Sequence, residues 1–334
     1  MTTSNVPDFS VTLDGNDLTA KIRPRLLSLT ITEKRGDEAD QLDIALDDAD
    51  GRLALPKLGA ILHVQLGWKR GSGVKVGMID KGSFIVDEIE HSGPPDAVTL
   101  RARSADFTSD LRTRREQCWH DTTIGAVVND IAARNSLTAR CAPALASIVA
   151  PIVAQSRESD MALLRRLGRA HDAVATIKRG SLIFAPMGGA QTASGAALPS
   201  IALRRRDGDR HSYQVEKREE ADGITASYHD RDDAVRKDVT VGKTGGAKKL
   251  SHVYANKFDA ERAAKSTMSR SKRQPVSLTL ALALGRSDIY PEQKANVTGF
   301  KSEIDAVAWL VSEVTHTLND RGFVTGLKLE NVSD

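Results

Sequence analysis

Aromatic side chains are scarce: seven Phe, four Tyr and three Trp make up 4% of 334 residues. So few rings weaken any reading that needs stacking platforms for bases or sugars. Cysteine is scarcer still. Cys118 and Cys141 are the only two, which excludes a disulfide scaffold and any multi-thiolate zinc site. A charge excess is also missing, since 47 Lys+Arg against 44 Asp+Glu leave +3. Nothing in that balance calls for nucleic acid or an acidic membrane. The longest nearly apolar stretch, Cys141 to Ala154, carries Pro143 and Pro151 and is too short to span a bilayer. The first ten residues, MTTSNVPDFS, have neither the basic nor the apolar region of a secretory signal. What remains is ordinary globular usage, 40% hydrophobic and 27% charged. At roughly 150 residues per domain the length suits about two domains. The expectation is a soluble, multi-domain protein of a reducing compartment.

From Phe9 to Arg103 short alternating runs dominate. Phe9, Val11 and Leu13 alternate before the turn Asp14-Gly15-Asn16; Leu27, Leu29 and Ile31 follow, then Leu42, Ile44 and Leu46. Ile61 to Trp68, Gly82 to His91 and Ala97 to Arg103 complete six or seven strands, a spacing that favours a small barrel or sandwich. Beyond Phe107 the period changes. Asp121 or Thr122 caps a helix with the stripe Ile124, Val127, Val128, Ile131. Ser156 caps a second, acidic at Glu158 and Asp160, apolar at Met161, Leu164 and Leu167, and basic toward its end, as the helix dipole favours. A strand pair around Arg179-Gly180 and a small-residue loop, Pro186 to Pro199, come next. Alternation returns at Ser212 to Tyr228, and Gly242 to Lys249 reads as a loop. A helix from about Asp259 stops at Pro275, and strands resume from Val276 to Glu330.

The two β regions resemble each other. Glu33-Lys34-Arg35, Ala39-Asp40 and alternating Leu42, Ile44, Leu46 are answered by Glu216-Lys217-Arg218, Ala221-Asp222 and Ile224, Ala226, Tyr228. Gly67-Trp68-Lys69 is answered by Gly299-Phe300-Lys301. Phe84, Val86, Glu88 and His91 are answered by Trp309, Val311, Glu313 and His316 at identical spacing. Three matches in one order favour duplication of a small antiparallel barrel, the second copy split by an insertion. Two similar barrels per chain, closed into a three-fold ring, present six similar units around one axis. Such a ring meets a six-fold partner on one face and a three-fold partner on the other.

Reactive centres are hard to find. Gly242-Lys243-Thr244 lacks the earlier glycine of a phosphate loop, because Lys237 stands there. Glu88/His91 and Glu313/His316 lie in strand-like runs, where i and i+3 point to opposite faces, and the remaining histidines lack metal-ligand spacing. There is no Gly-x-Ser-x-Gly elbow. The basic clusters Arg112-Arg114-Arg115, Arg204-Arg205-Arg206 and Lys248-Lys249 read as solvated turns. No catalytic residue, cofactor or metal is expected.

Trp119 to Leu137 (WHDTTIGAVVNDIAARNSL), Gln155 to Leu167 (QSRESDMALLRRL) and the tail from Tyr290 to Glu330, with Gly-Phe-Lys, Trp-x-Val and His-x-Leu elements, resemble the late control D tail-hub proteins of contractile-tailed phages. They are also similar to the hub portion of type VI secretion spike proteins. The resemblance spans essentially the whole chain. It implies a mainly β fold with an α+β middle: a first barrel domain over 5–108, a middle domain with two helices over 109–200, and a second barrel over 201–334 interrupted at about 231–274. It implies a non-enzymatic homotrimer in the tail baseplate of the virion, with a tail tube protein above, a separate spike protein below and other baseplate proteins around. Sequence-specific nucleic acid and membrane insertion are not expected. Gln155, Glu158, Ser159, Asp160 and Arg166 become candidates for inter-domain or inter-subunit contact, beside the reading that Leu163, Leu164 and Leu167 simply pack the middle domain. A cell-wall hydrolase carried in the tail and a DNA-binding regulator are the rival functions.

Overall fold

The computed structural model describes residues 4–35, 39–104, 109–178, 180–187, 198–216, 222–230, 233–272 and 276–331. The first β set contains β1 (Val6–Leu13), β2 (Asn16–Asp17), α1 (Thr19–Ile22), β3 (Leu26–Lys34), β4 (Gln41–Asp47), β5 (Ile61–Arg70), β6 (Gly77–Ser92) and β7 (Ala97–Ser104). A middle unit follows: α2 (Ser109–Arg112), β8 (Arg114–Thr123), α3 (Ile124–Arg134), β9 (Thr138–Cys141), α4 (Pro143–Ala146), β10 (Val149–Ser159), α5 (Asp160–His171), β11 (Ala173–Lys178) and β12 (Ser181–Pro186). The second β set opens with β13 (Ile201–Arg204) and β14 (Gly208–Val215). It is interrupted by β15 (Gly223–Asp230), β16 (Val235–Gly242), β17 (Lys248–Tyr254) and α6 (Lys257–Lys272). It resumes with β18 (Val276–Leu282), β19 (Lys294–Thr298), α7 (Ser302–Asp305), β20 (Trp309–Asn319) and β21 (Gly322–Asn331).

Alternation of apolar residues puts one side of each strand inward. Leu29, Ile31, Leu42, Ile44, Val64 and Leu66 are fully buried in the first set; Leu278, Val311, Val314 and Leu329 are in the second. The first set pairs in the order β3-β4-β7-β6-β5-β1, and the second in the order β14-β18-β21-β20-β19-β13. Those orders correspond strand for strand. The ladders correspond as well. Leu42 faces Ala102 where Leu278 faces Leu329, and Leu62 faces Phe84 where Ala295 faces Trp309. The β6–β7 ladder shifts register between Val86 and Glu88, and the β20–β21 ladder between Val311 and Glu313. The edge ladders β3–β4 and β14–β18 each carry one more shift, after Leu26 and after Gly208. Bulges at matching places bend both sets alike. Even the lead-in is shared. Gly59 N donates to Val86 O at 2.8 Å and Glu292 N to Val311 O at 2.8 Å, both from left-handed backbone, φ +86° and +72°. One pairing differs in sense: β1 runs antiparallel to β5, whereas β13 runs parallel to β19.

The fold is mainly β, built on a large antiparallel sheet, but closed barrels are absent among the described residues. The outer edge of β3 pairs with β20 instead of curling back toward β1, so the two sets share one 13-stranded sheet. Once those backbone groups are satisfied across the joint, nothing drives closure.

Other expectations also change. Ile224, Ala226 and Tyr228 do not take the place of β4: they lie in β15, in a separate sheet with β16 and β17, and pack on Ala260, Ala264 and Met268 of α6. β18 takes that place. The Glu-Lys-Arg match is one residue out of register, since Glu33 aligns through the ladders with Val215. Continued from Ile61 and Lys294, Gly67 likewise falls on Phe300 and not on Gly299. Lys248 and Lys249 are strand residues, so the loop after Gly242 is shorter than its composition suggests. In the middle unit the caps are Thr123 and Ser159, whose side chains accept from Ala126 N and Ala162 N. Ser156 is still in β10. Residues 188–197 of the small-residue loop, 36–38 of the charged corner, Lys217, Arg218, Ala221, Arg179 and Pro275 lie outside the described residues.

Candidate functional site

The joint between the β sets holds a buried polar cluster. β20 and β3 pair antiparallel from Glu313 opposite Lys34 to Asn319 opposite Ser28. Behind this ladder the cores fuse, because Leu318 and Phe323 of the second set belong to the buried cluster of the first. Trp68 lies 5.4 Å from the Phe323 ring, and its Nε1 donates to Gly285 O at 2.8 Å. A tilted aromatic pair of this kind adds about 0.5–1.5 kcal/mol beyond its buried area. Gly67 beside it is required by space, since a Cβ there would sit 1.9 Å from Gly77 O.

Three ionisable groups from distant strands meet inside the joint. Lys81 Nζ reaches Glu33 Oε2 at 2.7 Å and His316 Nε2 at 2.9 Å, with the Lys81 and Glu33 side chains only 3% and 11% exposed. His316 is fully buried; its Nδ1 is 3.0 Å from Thr325 Oγ1, which accepts from Arg286 N. Burial, then the neighbouring Lys81 cation, hold the His316 imidazole below its ordinary value. The arrangement is a Lys–Glu salt bridge beside an imidazole whose surroundings favour its neutral form. Arg35 adds a second bridge, to Glu330 at 2.7 Å and Glu292 at 3.4 Å. Such a constellation fixes two sheets against each other. Lys81 carried no sequence signal, since only the fold brings it across 235 residues to His316.

The other sequence-selected residues fall into three places. Phe84 and Trp309 are core; Trp309 Nε1 donates to Ile304 O at 2.9 Å. Glu88 and His91 are exposed on β6, where Glu88 pairs with Arg101 and His91 Nε2 lies 3.5 Å from Asp48. Glu313 stands opposite Lys328 as Glu88 stands opposite Arg101. Gly299 turns the chain at φ +87°, and Phe300 packs edge-on against His211 and under Arg205. Gln155 and Asp160 are buried inside the middle unit. Asp160 accepts from Asn135 and Gln155, both at 2.8 Å, and has Arg134 at 3.1 Å. Glu158 and Arg166 form an ion pair, and Arg166 also donates to Ala154 O at 2.6 Å. This second network ties β8, β10, α3 and α5 together.

Several strand edges bear no partner among the described residues, and two of them lie in the large sheet beside the joint's counterparts. β14 pairs only with β18, and residues 88–92 of β6 pair only with β7. Chemistry of other kinds finds little support. Burial pushes the Cys141 thiol up to about 11, too high for a nucleophile at neutral pH. No cluster of three metal-ligating side chains occurs among the described residues. No described helix is long and apolar enough to cross a membrane.

A family model described as phage tail baseplate hub (GPD) matches residues 41–322. A probable baseplate hub protein of Escherichia phage 186 is 44% identical over 98% of this chain and 94% of its own length. Among solved structures, a tail protein from Neisseria meningitidis superposes with a TM-score of 0.69 at 13% identity, covering 98% of this chain and 97% of that one. A component of the E. coli type VI secretion system superposes with a TM-score of 0.51 at 13% identity, covering 93% of this chain and 74% of that one.

Proposed function

From the premise that the chain belongs to the phage tail baseplate hub (GPD) family, we propose that it forms the trimeric ring joining a hexameric tail tube to a trimeric spike in a contractile tail. The family is one of structural, non-enzymatic tail components, located in the baseplate of the virion. The observation that carries the finer reading is the strand-for-strand correspondence of the two β sets, with matching registers and bulges. Three chains then place six similar sheets around one axis, while each chain still occurs three times. A six-fold tube finds six near-equivalent docking surfaces on one side. A three-fold spike finds three equivalent middle units or sheet ends on the other, and further baseplate proteins take the rim. The Glu33–Lys81–His316 joint ties the two β sets of one chain together.

Native mass measurement on the purified full chain, alone and mixed with its spike, tests this. Three copies per particle in at least one condition is the expected result. Single chains in both conditions would overturn the trimeric reading.

A further inference from the structure

The joint inside the chain is related to two of the free edges, those of β14 and of residues 88–92 of β6, by the correspondence of the β sets. β3 corresponds to β14, and β20 corresponds to β6. In the chain β3 and β20 pair, whereas β14 and residues 88–92 of β6 each lack a neighbour among the described residues. The unpaired edges are the counterparts of the paired ones.

Burial tells the same story. On β3 the core-facing Leu29, Ile31 and Glu33 are buried by the joint; their counterparts on β14, His211, Tyr213 and Val215, are exposed, half-buried and exposed. On β20 Val314 and His316 are buried; their counterparts on β6, Ile89 and His91, are half-buried and exposed. Val215 is 55% exposed at the end of the row that carries the half-buried Tyr213. An open edge with an apolar end is a template for another strand.

We propose that β14 of one chain pairs antiparallel with residues 88–92 of β6 in a second copy, repeating between chains the β3–β20 joint within the chain. This deepens the trimeric reading and rests on it, since head-to-tail contacts of one kind close a ring of three when each copy is turned by a third of a circle. Transferring the β3–β20 register places Val215 opposite Ile89, Gln214 opposite Glu90 and Tyr213 opposite His91. Val215 thereby gains an apolar neighbour. The Gly93-Pro94-Pro95 turn ends the pairing, because proline offers no N–H to a ladder. The polar lock is not repeated: Val215 stands where Glu33 does, and Ala306 aligns with Lys81. The joint between chains is therefore the weaker one, apolar at its Val215–Ile89 end and without a buried ionic lock.

Disulfide trapping reads the register directly, because opposite residues of an antiparallel pair bring their Cβ atoms within bonding range. The full chain carrying Cys118→Ser, Ile89→Cys and Val215→Cys is oxidised and resolved without reductant, with native mass recorded on the same sample. A covalent ladder up to three chains is expected, and the control with Glu90→Cys in place of Ile89→Cys should cross-link at least tenfold less. Trimers by mass without that ladder would overturn the pairing and leave the trimeric reading standing. Single chains by mass, uncross-linked with and without the spike, would overturn both. If the double-cysteine chain fails to fold, Val215→Lys provides a second test at an exposed site. It should weaken assembly at least tenfold while secondary structure is kept, and unchanged assembly would contradict the pairing.

Discussion

Lys81 shows what a single residue contributes to the joint. Its ammonium is buried with one carboxylate and one imidazole, so removing it takes the 2.7 Å cation from the buried Glu33 carboxylate. Breaking a buried pair in this way costs about 3–5 kcal/mol, and Lys81→Met should lower unfolding stability by that amount in urea titrations. Trp309 is a simpler case. It is buried and bonded through Nε1, so Trp309→Ala should cost about 3–5 kcal/mol, and a change near zero in the same titration would place its ring outside the core. Two histidines contribute to the acid response. His316 is depressed by burial and Lys81; His171 is pushed down to about 4 by burial and then by Arg262 of α6. A depressed imidazole stays neutral in the fold while the unfolded chain takes up a proton from 6.5 downward. Stability from both groups is therefore complete above about pH 6.5 and is lost as pH falls, the His171 share by about pH 4. His171→Asn should flatten that part of the curve in pH-dependent thermal melts.

Elements divide into those whose periodicity betrays their partner and those whose periodicity does not. The stripe Ile124, Val127, Val128, Ile131 placed α3 correctly, because a 3.6-residue period has one structural meaning. The spacing Phe84-Val86-Glu88 against Trp309-Val311-Glu313 marked β6 and β20, and both pairs of valine and glutamate flank a bulge. Ile224, Ala226 and Tyr228 misled, since alternation shows that a strand has an apolar face but not which sheet receives it. The start of α5 lies three residues beyond the Ser156 cap that the sequence suggests, for a related reason. Ser156 and Ser159 are both competent caps, and only the continued pairing of β10 with β8 selects the second. Ser159→Ala should cost about 1 kcal/mol of stability through the lost bond to Ala162 N, and leave the mass of the assembled particle unchanged. A loss of assembly at unchanged stability would instead make Ser159 an interface residue.

At the scale of the whole molecule, what the sequence could not disclose is the joint. Glu33, Lys81 and His316 are separated by 48 and 235 residues, and neither charge nor spacing marks them as partners. The repeat was visible, but its closure was misjudged, because two half-open sheets joined edge to edge and two separate barrels share one strand grammar. The difference matters for function. Separate barrels move independently, while a shared sheet with a buried ionic lock holds its two halves as a single rigid wedge. The most direct measurement is electron microscopy of the assembled particle viewed down its axis. Six β modules of similar size around one opening, repeating as three pairs, is the predicted view; three modules around the opening with the other three out of that ring would contradict it.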